Sequence, residues 1–342
     1  MKPTSASSKV RRPLQSRGDL AASLAERIVG QEAAVRAIVP YIQMYQAGLS
    51  PEGRPAGVFL LLGPTGTGKT RTVEALAEVL HGSAKHILRI DCGEFQMEHE
   101  VAKLVGAPPG YLGHRETQPL LTQHKLNAAT SDRSTLAIVL LDEIEKAAPS
   151  MARLLLGVLD KATLRLGDNT SVNFERSLIF MTSNLGAREM GREMAPPFGF
   201  GAMARERQES RRKLEAIGLA AVRRRYSPEF VNRIDAVLTY DPLGPEAVAT
   251  ILDQHLRELQ RHIETRLGGR AFRIEVPEAS RRFLLDRGVS LEYGARELRR
   301  TIHRCLMEPL AALVASGEVL PGAVVRAEPA EAEQKLALRV AA

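Results

Sequence analysis

From Val58 to Thr70 the chain reads VFLLLGPTGTGKT. The first five residues form a short continuous apolar run, which predicts a strand buried on both faces. The run leads straight into Gly63-Pro64-Thr65-Gly66-Thr67-Gly68-Lys69-Thr70. This satisfies G-x-x-x-x-G-K-[ST] in the setting the pattern needs, a strand, then a loop, then a helix. Glycines let the backbone wrap phosphate oxygens with its N–H groups aimed inward, and the positive end of the next helix adds to the attraction. Lys69 would then reach the β- and γ-phosphates of a bound nucleotide, and the Thr70 hydroxyl would ligate Mg2+. A glycine-rich turn with no ligand is the plain alternative, and the Lys-Thr pair with both flanking elements argues against it.

Outward from this stretch, similar apolar runs recur at His86–Asp91, Leu136–Glu143, Ser177–Asn184 and Ala236–Asp241. Helical patterns lie between them, for example at Lys69–Leu80 and Ser150–Asp160, and another precedes them at Leu20–Arg27. Five strands alternating with helices predict an α/β fold in which a five-stranded parallel sheet is flanked by helices on both sides. Ligands of such sheets bind at the carboxyl ends of the strands. After Asp241 the pattern changes to a long helix, Pro245–Leu267, a strand in FRIEV, a helix to Arg287, another over Gly294–Ser316, and strands in AVVRAE and LALRV. The expected organisation is a basic disordered tail over 1–19, a large domain over 20–240 and a smaller α+β domain over 241–342.

The run LAIVLLDE ends in two carboxylates at the active edge of that sheet, where buried negative charge is costly without a cation or a proton-transfer role. Asp142 suits the Mg2+ ligand, directly or through water, and Glu143 the base that polarises an attacking water. A solvated helix N-cap is the competing reading, and it loses ground beside the phosphate loop. Asn184 ends the next strand, where its amide can bond the γ-phosphate or the attacking water. Arg233, in SPEFVNRID, and Arg296, in YGARELRR, are cations able to meet the charge that phosphoryl transfer concentrates in its transition state. Taken singly, each is equally a surface ion pair.

Composition bounds the rest. The chain has 342 residues, 44% hydrophobic and 25% charged, with no apolar run near the ~20 residues a membrane helix needs. A cytoplasmic protein is expected, with no membrane association. Cys92 and Cys305 are far apart in sequence and fit neither a disulfide framework nor a metal cluster, so both read as buried thiols. The net charge of +7 raises a nucleic-acid-acting ATPase, of initiator or helicase-loader type, as an alternative. The arginines are spread along the chain and no length is left for a helix-turn-helix domain, so no specific nucleic acid is expected.

IVGQEAAV, GPTGTGKT, LVGAPPGYLG, LLDEIEKA, LLLGVLD, MTSNLG, SPEFVNRID and YGARELRR follow one another along the chain. Together they resemble the AAA+ ATPases, and within them the Clp-type protein unfoldases, most of all the second ATPase ring of the double-ring members. The resemblance covers nearly everything from Leu20 onward. It implies a P-loop NTPase that binds ATP and Mg2+, with Gly63, Gly66, Gly68, Lys69 and Thr70 as Walker A and Asp142 and Glu143 as Walker B. It likewise implies Asn184 as sensor 1, Arg233 as an arginine finger acting on an adjacent subunit, Arg296 as sensor 2, and Ile28 and Val29 as the segment packed on adenine. Six subunits would form a homo-oligomeric ring around a pore. In that pore Tyr111, flanked by glycines, would grip unfolded or tagged protein substrates through its apolar ring face.

Departures from the pattern are informative. Within this sequence there is no first ATPase ring, no N-terminal substrate-binding domain and no coiled-coil insertion, so a single ring is expected. Phe198-Gly199-Phe200 resembles the tripeptide with which some members dock a Clp-type peptidase, although its first residue is aromatic and prolines precede it. A loop anchor packed on its own domain is the alternative for that tripeptide.

Overall fold

The computed structural model describes residues 17–106, 119–193, 204–288, 294–330 and 335–341. Tyr111 and Phe198, Gly199 and Phe200 lie outside the described residues. In the large domain the elements run α1 (Arg17–Ala25), α2 (Glu32–Gln46), β1 (Gly57–Leu62), α3 (Lys69–His81), β2 (Leu88–Asp91), α4 (Glu98–Val105), α5 (Gln123–Ala128) and β3 (Ala137–Asp142). They continue through α6 (Pro149–Lys161), β4 (Thr163–Arg165), β5 (Ser171–Asn173), β6 (Ser177–Ser183), α7 (Ala187–Glu193), α8 (Ala204–Arg225), α9 (Pro228–Val231) and β7 (Ala236–Thr239). The smaller domain follows with α10 (Pro245–Leu267), β8 (Arg273–Glu275), α11 (Glu278–Gly288), α12 (Ala295–Ile302), α13 (Glu308–Ala315), β9 (Val324–Pro329) and β10 (Leu336–Ala341).

All five expected strands form, and they pair in the order β2-β3-β6-β1-β7, every pair parallel. Every residue of β1 and β6 is buried, because side chains alternate between two covered faces. Val58, Leu60 and Leu62 of β1 join Val139, Leu141, Ile179 and Met181 on one face, with Met151 and Leu155 of α6 packed over them. Phe59 and Leu61 join Ile138, Leu140, Leu178 and Phe180 on the other, under Ile38 of α2 and Leu76 of α3. Each such side chain contributes about 1.5–3 kcal/mol by leaving water, so a one-residue slip of register would be very costly.

Four features depart from the sequence reading. A short antiparallel hairpin, β4–β5, follows α6. The 22-residue α8 fills much of the segment between Asn184 and Arg233. The helix expected over Gly294–Ser316 is interrupted between α12 and α13 by a π-turn, His303–Met307. Pro309 accounts for it: a proline has no N–H to give the carbonyl four residues back and crowds it, so the preceding turn widens. The helix α1 begins at Arg17, three residues before the pattern predicts.

The smaller domain carries a mixed sheet, ordered β10-β9-β8, with β8 parallel and β10 antiparallel to β9. Its core joins Leu252 of α10, Leu284 of α11, Leu298 of α12, Leu306 and Ala327. Both cysteines are free and buried. Among the described residues, no helix is long and apolar enough to cross a membrane.

Candidate nucleotide site

The carboxyl ends of β1, β3 and β6 open into a cavity of about 510 Å³, closed on its far side by α10 and α12. Thr65, Gly66, Thr67, Gly68, Lys69 and Thr70 line it, with Asp142, Glu143, Asn184, Arg296, Ile28 and Val29. Residues from both ends of the chain thus meet at one place. Gly63 and Pro64 stand behind the loop and act through their carbonyls. Lys69 Nζ donates to Gly63 O at 2.6 Å, to Pro64 O at 2.8 Å and to Asn184 Oδ1 at 2.9 Å. With three acceptors around a side chain only 8% exposed, the ammonium is fixed in direction before any phosphate arrives. Burial pulls the Lys69 pKa down to about 8; the Glu145 charge opposes the shift, Arg296 adds to it, and Asp142 and Glu143 oppose it. A phosphate would complete the pairing and return the ammonium to its ordinary range.

The glycines of the loop are required by space as well as by conformation. Gly63 has φ of +142°, and a Cβ there would stand 2.7 Å from the Tyr240 carbonyl of the strand end beside it. Gln31 closes the same corner, its amide donating to Thr67 O at 3.1 Å and Asp241 O at 2.8 Å. The smaller domain docks directly on the loop: Ala295 N–H donates to Gly66 O at 3.1 Å. Gly294, with φ of +51°, would place a Cβ 2.8 Å from that same carbonyl.

Asp142 is held on both oxygens. Thr182 Oγ donates to Oδ1 at 2.5 Å, and Arg89 donates to Oδ2 at 2.5 Å. Glu143 has φ of +56°, a left-handed conformation uncommon for a residue with a Cβ and found preferentially where function demands it. Its N–H donates to Thr182 Oγ at 2.9 Å. Its carboxylate pairs with Lys146 at 2.5 Å, with side chains 32% and 49% exposed. An exposed pair of this kind is worth about 0–1 kcal/mol, so it holds the Glu143 carboxylate only weakly. Asn184 N–H donates to Glu145 Oε1 at 3.1 Å, which ties the end of β6 to the turn after β3, while the Asn184 side-chain Oδ1 accepts from Lys69.

Arg233 lies away from the cavity. Its Nε is 3.0 Å from Asp160 Oδ1, in an ion pair with both side chains 37% exposed, so it is half-buried rather than free at the surface. Several contributors escaped the sequence reading. Arg299, which also lines the cavity, sits three residues after Arg296 and so on the same helix face, a spacing visible in YGARELRR. Gln31 lies within IVGQEAAV. Arg89 and Glu145 act through strand register and a tight turn, for which no local pattern exists.

With this geometry in view, the likenesses to known proteins are direct. The AAA domain (Cdc48 subfamily) matches residues 54–237, and the C-terminal, D2-small domain of ClpB protein matches residues 243–327. Chaperone protein ClpB of Pseudomonas putida is 38% identical over 305 residues, covering 89% of this chain and 33% of the relative. Chaperone protein ClpB of Aquifex aeolicus is 38% identical over 302 residues, covering 88% and 28%. Among solved structures, a closed-state cryo-EM reconstruction of Hsp104 with ATPγS and FITC casein superposes with a TM-score of 0.75 at 26% identity, over 94% of this chain and 51% of that one. The extended S. cerevisiae Hsp104:casein complex gives 0.77 at 26%, over 93% and 51%. The chain therefore spans about a third of the length of the curated relatives it matches. From the paired domains, the cavity between them and these matches, the chain belongs to the AAA ATPase family, with an AAA domain of the Cdc48 subfamily followed by a small domain of the ClpB D2 type.

Proposed function

We propose that the chain hydrolyses ATP at the boundaries of a homo-oligomeric ring and uses the energy to unfold or remodel proteins. The carrying observation is the cavity, in which the phosphate loop, Asp142, Glu143, Asn184 and Arg296 converge from two domains. Ile28 and Val29, with Leu243 and Ile251, offer apolar walls to a base. The triphosphate lies along the loop, with Lys69 and Arg296 as its cations. Glu143 orients and deprotonates the attacking water, and Asn184 holds that water or the γ-phosphate.

Thr70 and Asp142 are hard oxygen donors on one wall of the cavity, the set that suits Mg2+. Thr70 would bind the ion directly. Asp142, with Thr182 and Arg89 already on its oxygens, would hold the ion's waters. When bound, the ion neutralises charge on the β- and γ-phosphates.

In this reading Arg233, which does not line its own subunit's cavity and is held by Asp160, serves the next subunit of a ring. Six subunits, a cytoplasmic location and traction on unfolded or tagged protein by Tyr111 in the pore go with this reading. Casein bound by the Hsp104 relatives supports it. Docking of a Clp-type peptidase through Phe198, Gly199 and Phe200 is a separate step, tested by peptidase pull-down with Phe200→Ala. The nucleic-acid alternative has no support from the relatives, which are chaperone proteins.

The test is ATP turnover with casein or DNA added, at two salt concentrations. Casein should raise turnover at both, and Glu143→Gln should bind ATP yet lose turnover by about 100-fold or more. Stimulation by DNA alone, persisting in moderate salt, would overturn the reading.

A further inference from the structure

Directly after Asp142 and Glu143 the chain makes a 3₁₀ turn, Ile144–Lys146. Carbonyls at the exit of such a turn are left without intrahelical donors. Arg225, the last residue of α8, covers two of them, donating to Glu145 O at 3.1 Å and Ala147 O at 3.0 Å. One residue later the Tyr226 ring stacks on Phe230, with centroids 4.9 Å apart. Ser227 Oγ accepts from Phe230 N–H at 3.3 Å and so begins α9. Phe230 is 1% exposed, and its carbonyl accepts from Arg233 N–H at 3.1 Å.

From Arg233 the contacts return. Its guanidinium pairs with Asp160 at 3.0 Å, near the end of α6, and α6 starts at Pro149, just beyond the same 3₁₀ turn. That turn also carries Glu145, which holds the Asn184 N–H. The result is a closed circuit of contacts: from the Walker B turn through Arg225 to α9 and Arg233, then through Asp160 and α6 back to the turn.

Resting on the reading of Arg233 as a group that serves the next subunit, we propose that Arg225 is a positioning residue for it. Arg225 pins the base of α9 to the turn beside Glu143, so the arginine a subunit presents to its neighbour is placed by that subunit's own nucleotide site. Arg225 touches no nucleotide; it acts through Arg233. A plain brace of the fold would hold both sites of a subunit alike, whereas a positioning role is directional. Contacts along a route are not by themselves coupling, so a directional measurement is needed.

Chains carrying Glu143→Gln and chains carrying Arg233→Ala, mixed one to one, offer an intact Glu143 and an intact Arg233 only where a Glu143→Gln chain lends its arginine to an Arg233→Ala chain. Arg225→Ala is then placed on one chain or the other, with ring assembly checked by mass and folding by thermal melting. On the lending chain it should lower the recovered ATP turnover roughly three- to ten-fold. On the hydrolysing chain turnover should stay within about two-fold. Arg225→Lys on the lending chain keeps a cationic donor and should restore most of the loss. Equal losses from both placements, or none from either, overturn the proposal. A mixture that recovers no turnover even with Arg225 intact is a different result: it refutes the shared site, and the positioning role with it.

Discussion

Single side chains in this protein are understood by what surrounds them. Lys69 is ready for phosphate because three acceptors already aim it, and Glu143 is reachable because its tie to Lys146 is exposed and cheap to break. Away from the site, His81 is 5% exposed, with Nδ1 3.0 Å from Ser131 Oγ and Nε2 without a partner. Burial, then the His86 charge, pull its pKa down to about 4, against a smaller opposing effect of the Leu136 backbone. The folded state therefore refuses a proton that the unfolded chain accepts near pH 6.5, and stability is lost as pH falls through the interval from about 6.5 to about 4. Between pH 7 and pH 5 this amounts to about 2 kcal/mol. His81→Asn should shrink the difference in urea midpoint between those two pH values; an unchanged difference would show that other groups carry the acid sensitivity. At this scale the sequence was most legible where a short motif places residues together, as for Lys69, Thr70 and Asp142, which line one cavity. Arg89, Glu145 and Arg225 were not, because each acts on a residue at least 39 positions away or on a turn's backbone.

At the scale of elements, β1 and the loop after it govern the site. The strand is buried along its whole length, and its last carbonyl accepts from Tyr240 N–H at 2.7 Å, which brings β7 against the start of the loop. Gly63→Ala would put a methyl 2.7 Å from Tyr240 O in a backbone conformation that L residues avoid. A loss of roughly 1–3 kcal/mol in folding stability is expected, together with weaker binding of a fluorescent ATP analogue. Parent-like melting and binding would mean that the loop yields freely there. The five sheet strands were legible because both faces are apolar, which leaves an unbroken run in the sequence. By contrast, β4 and β5 have only three residues each, too few to show a period. The first half of α8, ARERQESRRK, carries no apolar stripe, so the pattern on which helices are recognised is missing from it.

For the molecule as a whole, the decisive fact is that no single stretch of chain makes the site. The P-loop lies near the start of the large domain, Arg296 belongs to the smaller domain, and Ala295 N–H on Gly66 O joins the two. Under the proposed function, nucleotide bound in the cavity would touch both domains, and its hydrolysis would be felt as a change in their packing. On the same reading Arg233 would carry this logic to the next subunit, since it does not line its own cavity while its contacts lead back to the turn after Glu143. Sequence order placed Arg233 and Arg296 far from the loop, and only tertiary packing could show that one of them enters the cavity and the other does not.

The most direct measurement is ATP turnover by Glu143→Gln chains, by Arg233→Ala chains, and by the two mixed in equal amounts. Each variant alone should be nearly inactive, and the mixture should recover about a quarter of parental turnover, the share of boundaries that random assembly of a ring completes. Full turnover by Arg233→Ala alone, or no recovery in mixtures that assemble, would contradict a site shared between subunits.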